Sequence, residues 1–153
     1  NLIDAYDISV VATQLEDGIE DPGQDKVSGQ LAFSLDKTQA VQAGDTVRIR
    51  VKGVDLCAVN ALSFALPYDQ QDFQFIGVET TGMEEMENLT YDRLHTNGQK
   101  VLYPTFVNLG DKPVLSGSND LFILTFQAKR KAKFSLVPTD CLLIDRTLNT
   151  QKF

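Results

Sequence analysis

The sequence predicts an all-β sandwich of roughly nine strands behind a short N-terminal helix and an acidic linker. Three observations carry this. Val47, Ile49 and Val51 alternate strictly with Arg48, Arg50 and Lys52, the period-2 signature of a half-buried strand. Short apolar runs follow it at regular intervals, parted by turns rich in Gly, Asn, Asp and Pro. And 153 residues at 42% hydrophobic content suffice for one core without a metal or disulfide staple.

The elements follow in order. Residues 4–17 read as a helix, because Ile8, Val11, Ala12 and Leu15 recur at three- and four-residue spacing and Asp4 or Asp7 can cap its start. Glu16 to Asp25 is too charged, and too interrupted by Gly18, Pro22 and Gly23, to offset ordering entropy. Residues 18–29 therefore read as a linker, dividing segment 1–17 from a domain at 30–153. Within that domain, strands are expected at 30–35, 46–53, 59–67, 73–80, 90–95, 100–107, 119–128, 132–137 and 141–145. Asn97-Gly98 between Leu94 and Val101 marks a hairpin, since both residues tolerate positive φ. Gly82 to Asn88 reads either as a helical turn or as a mobile acidic loop.

Charge and composition exclude several function classes. A net charge of -7 and a pI near 4.6 argue against nucleic acid or an anionic membrane as partner. No apolar run approaches the roughly 20 residues that span a bilayer, so membrane insertion is not expected. Cys57 and Cys141 read as buried thiols, with a single bridge as the alternative. The one histidine, His95, lacks the partners of a zinc site or a catalytic triad. Glu84, Glu85 and Glu87 lie close enough in sequence to repel one another rather than divide into acid and base. The sequence thus points to a non-catalytic module. Without tryptophan, Tyr91, His95 and Tyr103 are the remaining candidates for a carbohydrate contact, and Tyr68 reads as a structural corner with its hydroxyl held by backbone.

Two segments carry a family resemblance. Val41 to Val51, with Ala43-Gly44-Asp45-Thr46-Val47 at its centre, and Ala61-Leu62-Ser63-Phe64-Ala65-Leu66-Pro67-Tyr68-Asp69 resemble the opening strands of cohesin modules. Asn119 to Lys129, a leucine-rich run ending Thr125-Phe126, resembles a later cohesin strand. Related carbohydrate-binding modules share the same fold. The similarity implies a nine-stranded jelly-roll sandwich that docks a dockerin-like domain, in its own or another chain, with polysaccharide as the competing ligand and a structural spacer as a third reading. It also implies a secreted or cell-surface bacterial parent, a polysaccharide-degrading glycoside hydrolase. Cohesins present a flat sheet face to a dockerin helix, and Arg48, Arg50 and Lys52 with Asn60 and Ser63 on the next strand are the expected partner face. Leu2 to Ile8 resembles the tail of a dockerin calcium loop running into its helix. Asp4 and Asp7 would be its ninth- and twelfth-position ligands, half of a calcium site, whose other half and whose chain continue upstream.

Overall fold

The computed structural model describes residue 5, residues 26–110 and residues 112–153. The strands are β1 (Ser28–Leu35), β2 (Thr46–Val59), β3 (Ala61–Tyr68), β4 (Phe73–Thr80), β5 (Glu87–Asn88), β6 (Tyr91–Leu94), β7 (Lys100–Tyr103), β8 (Thr105–Val107), β9 (Leu115–Ala128), β10 (Thr139–Ile144) and β11 (Thr150–Lys152). They form two sheets, as a sandwich requires. The first runs β1-β2-β9-β4, and the second β11-β10-β3-β7-β6, with β8 and then β5 beside β3. All the pairings within these sheets are antiparallel.

The core lies between the sheets. Val47, Ile49 and Val51 of β2 enter it from one side, and Leu62, Phe64 and Leu66 of β3 from the other. Phe126 is its hub, with the rings of Tyr68 and Phe134 at 4.9 Å and of Phe75 at 5.4 Å. Burial of such aromatic rings, in tilted and edge-on pairs, supplies much of the cohesion. Gly82 marks a close approach, since a Cβ there would stand 2.2 Å from the Asp120 carbonyl oxygen.

Several expectations are refined. The alternation of β2 is as read, and the Asn97-Gly98 hairpin forms between β6 and β7, with Gly98 at φ 87° and the His95 N–H donating to the Gln99 carbonyl at 2.9 Å. The strand expected at 100–107 is divided at Pro104, which has no N–H to give the ladder. No strand forms at 132–137; Ala132 makes only an isolated bridge to Val41, while Phe134 plugs into the core beside Phe73. Within Gly82 to Asn88, residues 82–86 form a turn whose Met83 and Met86 are buried in the core, and Glu87–Asn88 form β5. Tyr68 gives its hydroxyl proton to the Asp92 carboxylate at 2.7 Å, not to backbone. Cys57 and Cys141 are thiols and are not bridged. The predicted helix and its Asp4 and Asp7 lie outside the described residues, apart from Ala5.

Candidate functional site

The two sheets differ sharply on their outer faces. On the first, Arg48, Arg50 and Lys52 project into solvent, and Arg50 pairs with Asp120 at 3.1 Å across to β9. This is a hydrated, polar surface. The second sheet is different, because β3 is buried on both sides. Its core-facing residues alternate with Ala61, Ser63 and Ala65, all of which are buried although they point away from the core. Register puts neighbours beside each. Ala61 sits between Ile144 of β10 and Val107 of β8, and Ser63 between Leu142 of β10 and Thr105 of β8. Side chains paired across strands share a face, so these two rows form one patch of small and apolar groups. Ala5 packs into it, fully buried, and its N–H donates to Ser63 Oγ at 3.3 Å.

Beside the patch a cleft of about 530 Å³ opens on the same face, lined among others by Ser63, Ala65, Tyr103, Thr105, Leu142 and Phe153. Asp140 stands at its rim in the left-handed region (φ 54°), where β10 slips register between Thr139 and Leu142. Bulges of this kind re-aim side chains. Tyr103 stacks on Tyr91 at 4.9 Å, and its hydroxyl lies 2.7 Å from His95 Nε2. Burial pushes the Tyr103 hydroxyl pKa up, with Arg93 opposing and Asp140 reinforcing the shift. Burial, and then Asp140, push the Cys141 thiol up to about 11, so it is protonated and unreactive at neutral pH. A larger hollow of about 750 Å³ lies between the Asp69–Phe73 turn and Lys133–Val137, with mixed polar and apolar walls. Among the described residues no group of His, Cys, Asp or Glu could hold a metal ion.

The expected partner face does not come together. Arg48, Arg50 and Lys52 lie outside the first sheet, whereas Ser63 lies outside the second. The reason is topological: β2 pairs with β1 and β9, while β3 pairs with β10, β8 and β7, so the chain changes sheets at Asn60. Asn60 itself ties that crossing together. Its N–H donates to the Ile144 carbonyl at 2.7 Å, and its Oδ1 accepts from Asn108 Nδ2 at 3.0 Å. Tyr91, His95 and Tyr103, by contrast, do meet, at the edge of the cleft. The residues that sequence reasoning missed are Ala61, Ala65, Val107, Leu142 and Ile144. A signal for them existed: Ala61 to Pro67, broken only by Ser63, runs apolar without alternation, as does Cys141 to Ile144, and strands covered on both faces read that way.

Comparison with known proteins agrees with this architecture. The family model described as the cohesin domain matches residues 31–150. No curated protein matches the sequence. Among solved structures, the chain is similar to a cohesin module from a Clostridium perfringens family 33 glycoside hydrolase, at 15% identity over 84% of this chain and 91% of that one (TM-score 0.62). It is also similar to a type II cohesin domain from the cellulosome of Acetivibrio cellulolyticus, at 10% identity over 81% and 88% (TM-score 0.60). A third is the sixth cohesin from scaffoldin B of that organism, solved in complex with a Cel5 dockerin, at 18% identity over 78% and 89% (TM-score 0.55). A two-sheet antiparallel sandwich with this core, matched along most of its length by the family model, places the chain in the cohesin family.

Proposed function

We propose that this cohesin domain is a non-catalytic docking module of a secreted or surface-bound, polysaccharide-degrading bacterial protein, and that it receives a dockerin-type helix on the outer face of its second sheet. One observation carries the choice of face: Ala61, Ser63, Val107, Leu142 and Ile144 point away from the core yet are buried. A helix needs such a flat surface of small and apolar groups, with a polar handle to fix its register. Ser63 is that handle. The first sheet's Arg48, Arg50 and Lys52 offer mainly hydrated charge, which steers encounters more than it holds a partner. The dockerin complex of the scaffoldin B cohesin supports the partner class, and the glycoside hydrolase origin of the C. perfringens module supports the parent.

The test is capture of a purified dockerin domain by the immobilised chain, first with calcium and then with chelator. Ser63→Arg should weaken capture by roughly tenfold or more, as removal of a central contact does. Combined Arg48→Ala, Arg50→Ala and Lys52→Ala should change it by less than about threefold, the scale of exposed charges. The reverse ranking would move the docking surface to the first sheet. The meeting of Tyr91, His95 and Tyr103 supports one competitor, a sugar contact at the cleft edge. It predicts retention on a polysaccharide that Tyr91→Ala abolishes. The stacking of the two tyrosines weighs against it, because each ring has already given one face to the other.

A further inference from the structure

The hollow of about 750 Å³ beyond the end of β3 is walled by three loops: the Asp69–Asp72 turn, the Asn97–Gln99 hairpin tip and residues 133–137. These walls are tied to the sandwich and to one another. Gln99 Nε2 donates to the Tyr68 carbonyl at 3.0 Å, which fixes the hairpin tip to β3. Lys129 Nζ donates to the Gln70 carbonyl at 2.8 Å and Arg130 pairs with Asp72, so the turn is held to the chain just past β9. The rings of Phe73 and Phe134, 5.0 Å apart, join the turn to the third wall. The cleft therefore stands ready-made, and a ligand entering it has little left to order.

The polar side chains on these walls have groups to spare. The carboxamides of Gln70 and Gln71, Nδ2 of Asn97 and Oε1 of Gln99 have no hydrogen-bond partner among the described residues, and all four residues line the cleft. An amide offers a donor and an acceptor side by side, the pattern that neighbouring hydroxyls complete, since each hydroxyl both gives and accepts. Charge points the same way. Lys133 on one wall is balanced by Asp69 on another, and Asp72 is neutralised by Arg130, so no surplus of one sign awaits a phosphate or a cation. Val137, 56% exposed, and Phe134 add a non-polar strip that suits the C–H face of a sugar ring. A peptide would add to a free strand edge or seat its side chains in apolar pockets. None of the three walls is a strand.

We propose that this cleft is a second binding site of the domain, for a short uncharged oligosaccharide held by the amides of Gln70, Gln71, Asn97 and Gln99. Its volume falls within the roughly 300–1,000 Å³ of small-molecule sites. The site goes beyond the docking reading and does not rest on it. It shares no lining residue with the smaller cleft beside Ser63, and it lies apart from Tyr91 and Tyr103. One domain can thus hold a protein on a sheet face and a sugar between its loops.

The experiment follows the side-chain amide signals of the full, isotope-labelled chain by NMR. Neutral tetrasaccharides of glucose, xylose, mannose and galactose are titrated in turn to millimolar concentration, beside a uronic-acid tetrasaccharide and glycerol. At least one neutral sugar should shift the Gln70, Gln71 and Asn97 signals saturably, while glycerol should not and the Tyr91 and Tyr103 signals should stay in place. Gln70→Ala and Asn97→Ala should each weaken that binding about three- to tenfold, the factor that one hydrogen bond carries. Unmoved signals from Leu62 and Leu124 in the core show that each variant is folded; should one lose its fold, the wild-type shifts alone decide. No saturable shift with any neutral sugar, shifts centred on Tyr91 and Tyr103, or tighter binding of the uronic acid would each overturn the proposal and leave the docking reading untouched. Displacement of a purified dockerin domain by the sugar would put the sugar on the docking face and overturn the site as well.

Discussion

Asp145 shows how much one side chain can organise. It is buried, and its Oδ1 accepts from the Thr147 N–H and hydroxyl at 3.0 Å and from the Asn149 N–H at 2.9 Å, while Oδ2 accepts from Val27. Burial alone would raise its carboxyl pKa. The hydrogen bonds, led by those from Asn149 and Val27, outweigh it and hold the pKa below the usual value. A depressed pKa stabilises the fold at every pH above the unfolded value, near 3.9, and that contribution is lost as pH falls through the folded value. Asp145→Ala should therefore cost about 2–3 kcal/mol at neutral pH, the scale of bonds to a buried charge. Urea unfolding at pH 7 and at successively lower pH below about 4 measures it. A cost that stays constant across that range would exclude the ionised carboxylate as its source. The Thr147 and Asn149 bonds are local turn chemistry of the kind Asp favours. The Val27 bond spans 118 residues and leaves no trace in sequence.

Strand alternation reports which side of a segment is buried, not whether a partner strand lies alongside. That distinction explains what was legible among the elements. In β2, alternation coincides with ladders to β1 and β9, and the expected strand is there. In 132–137, Phe134 and Leu136 alternate with Lys133 and Ser135 just as cleanly, yet the segment crosses the end of the core without joining a ladder. Phe134 is held there by rings instead, Phe73 at 5.0 Å and Phe126 at 4.9 Å. Phe126 belongs to β9, the strand that joins β2 to β4, so it links this loop to the first sheet and, through Tyr68, to the second. Phe126→Ala should cost about 3–5 kcal/mol by opening a cavity at that junction. Phe126→Leu should cost clearly less, since it refills part of the volume. Chemical denaturation of both variants decides it: equal losses would mean that the junction is held by something other than ring packing.

At the scale of the molecule, the two outer faces state two different relations to water. The partner face expected from sequence joins residues of both, since β2 and β3 follow one another in the chain; the crossing at Asn60 puts them in different sheets. The same crossing makes the second face consequential, since β3 then has a neighbour on each edge and apolar side chains on each face. A charge placed there strikes a shared contact, because Ala5 and Ile144 are both fully buried in one apolar cluster on that face. Ile144→Asp should cost about 1–3 kcal/mol, the scale of single substitutions. Ala5→Asp should cost a similar amount. The pair should then be far from additive, because residues in contact share the packing that either charge disrupts. Thermal or urea unfolding of the wild type, both single variants and the double variant closes this cycle. A double variant about as stable as the less stable single one places Ala5 and Ile144 in one contact, whereas simple addition of the two losses would show that they destabilise the chain separately.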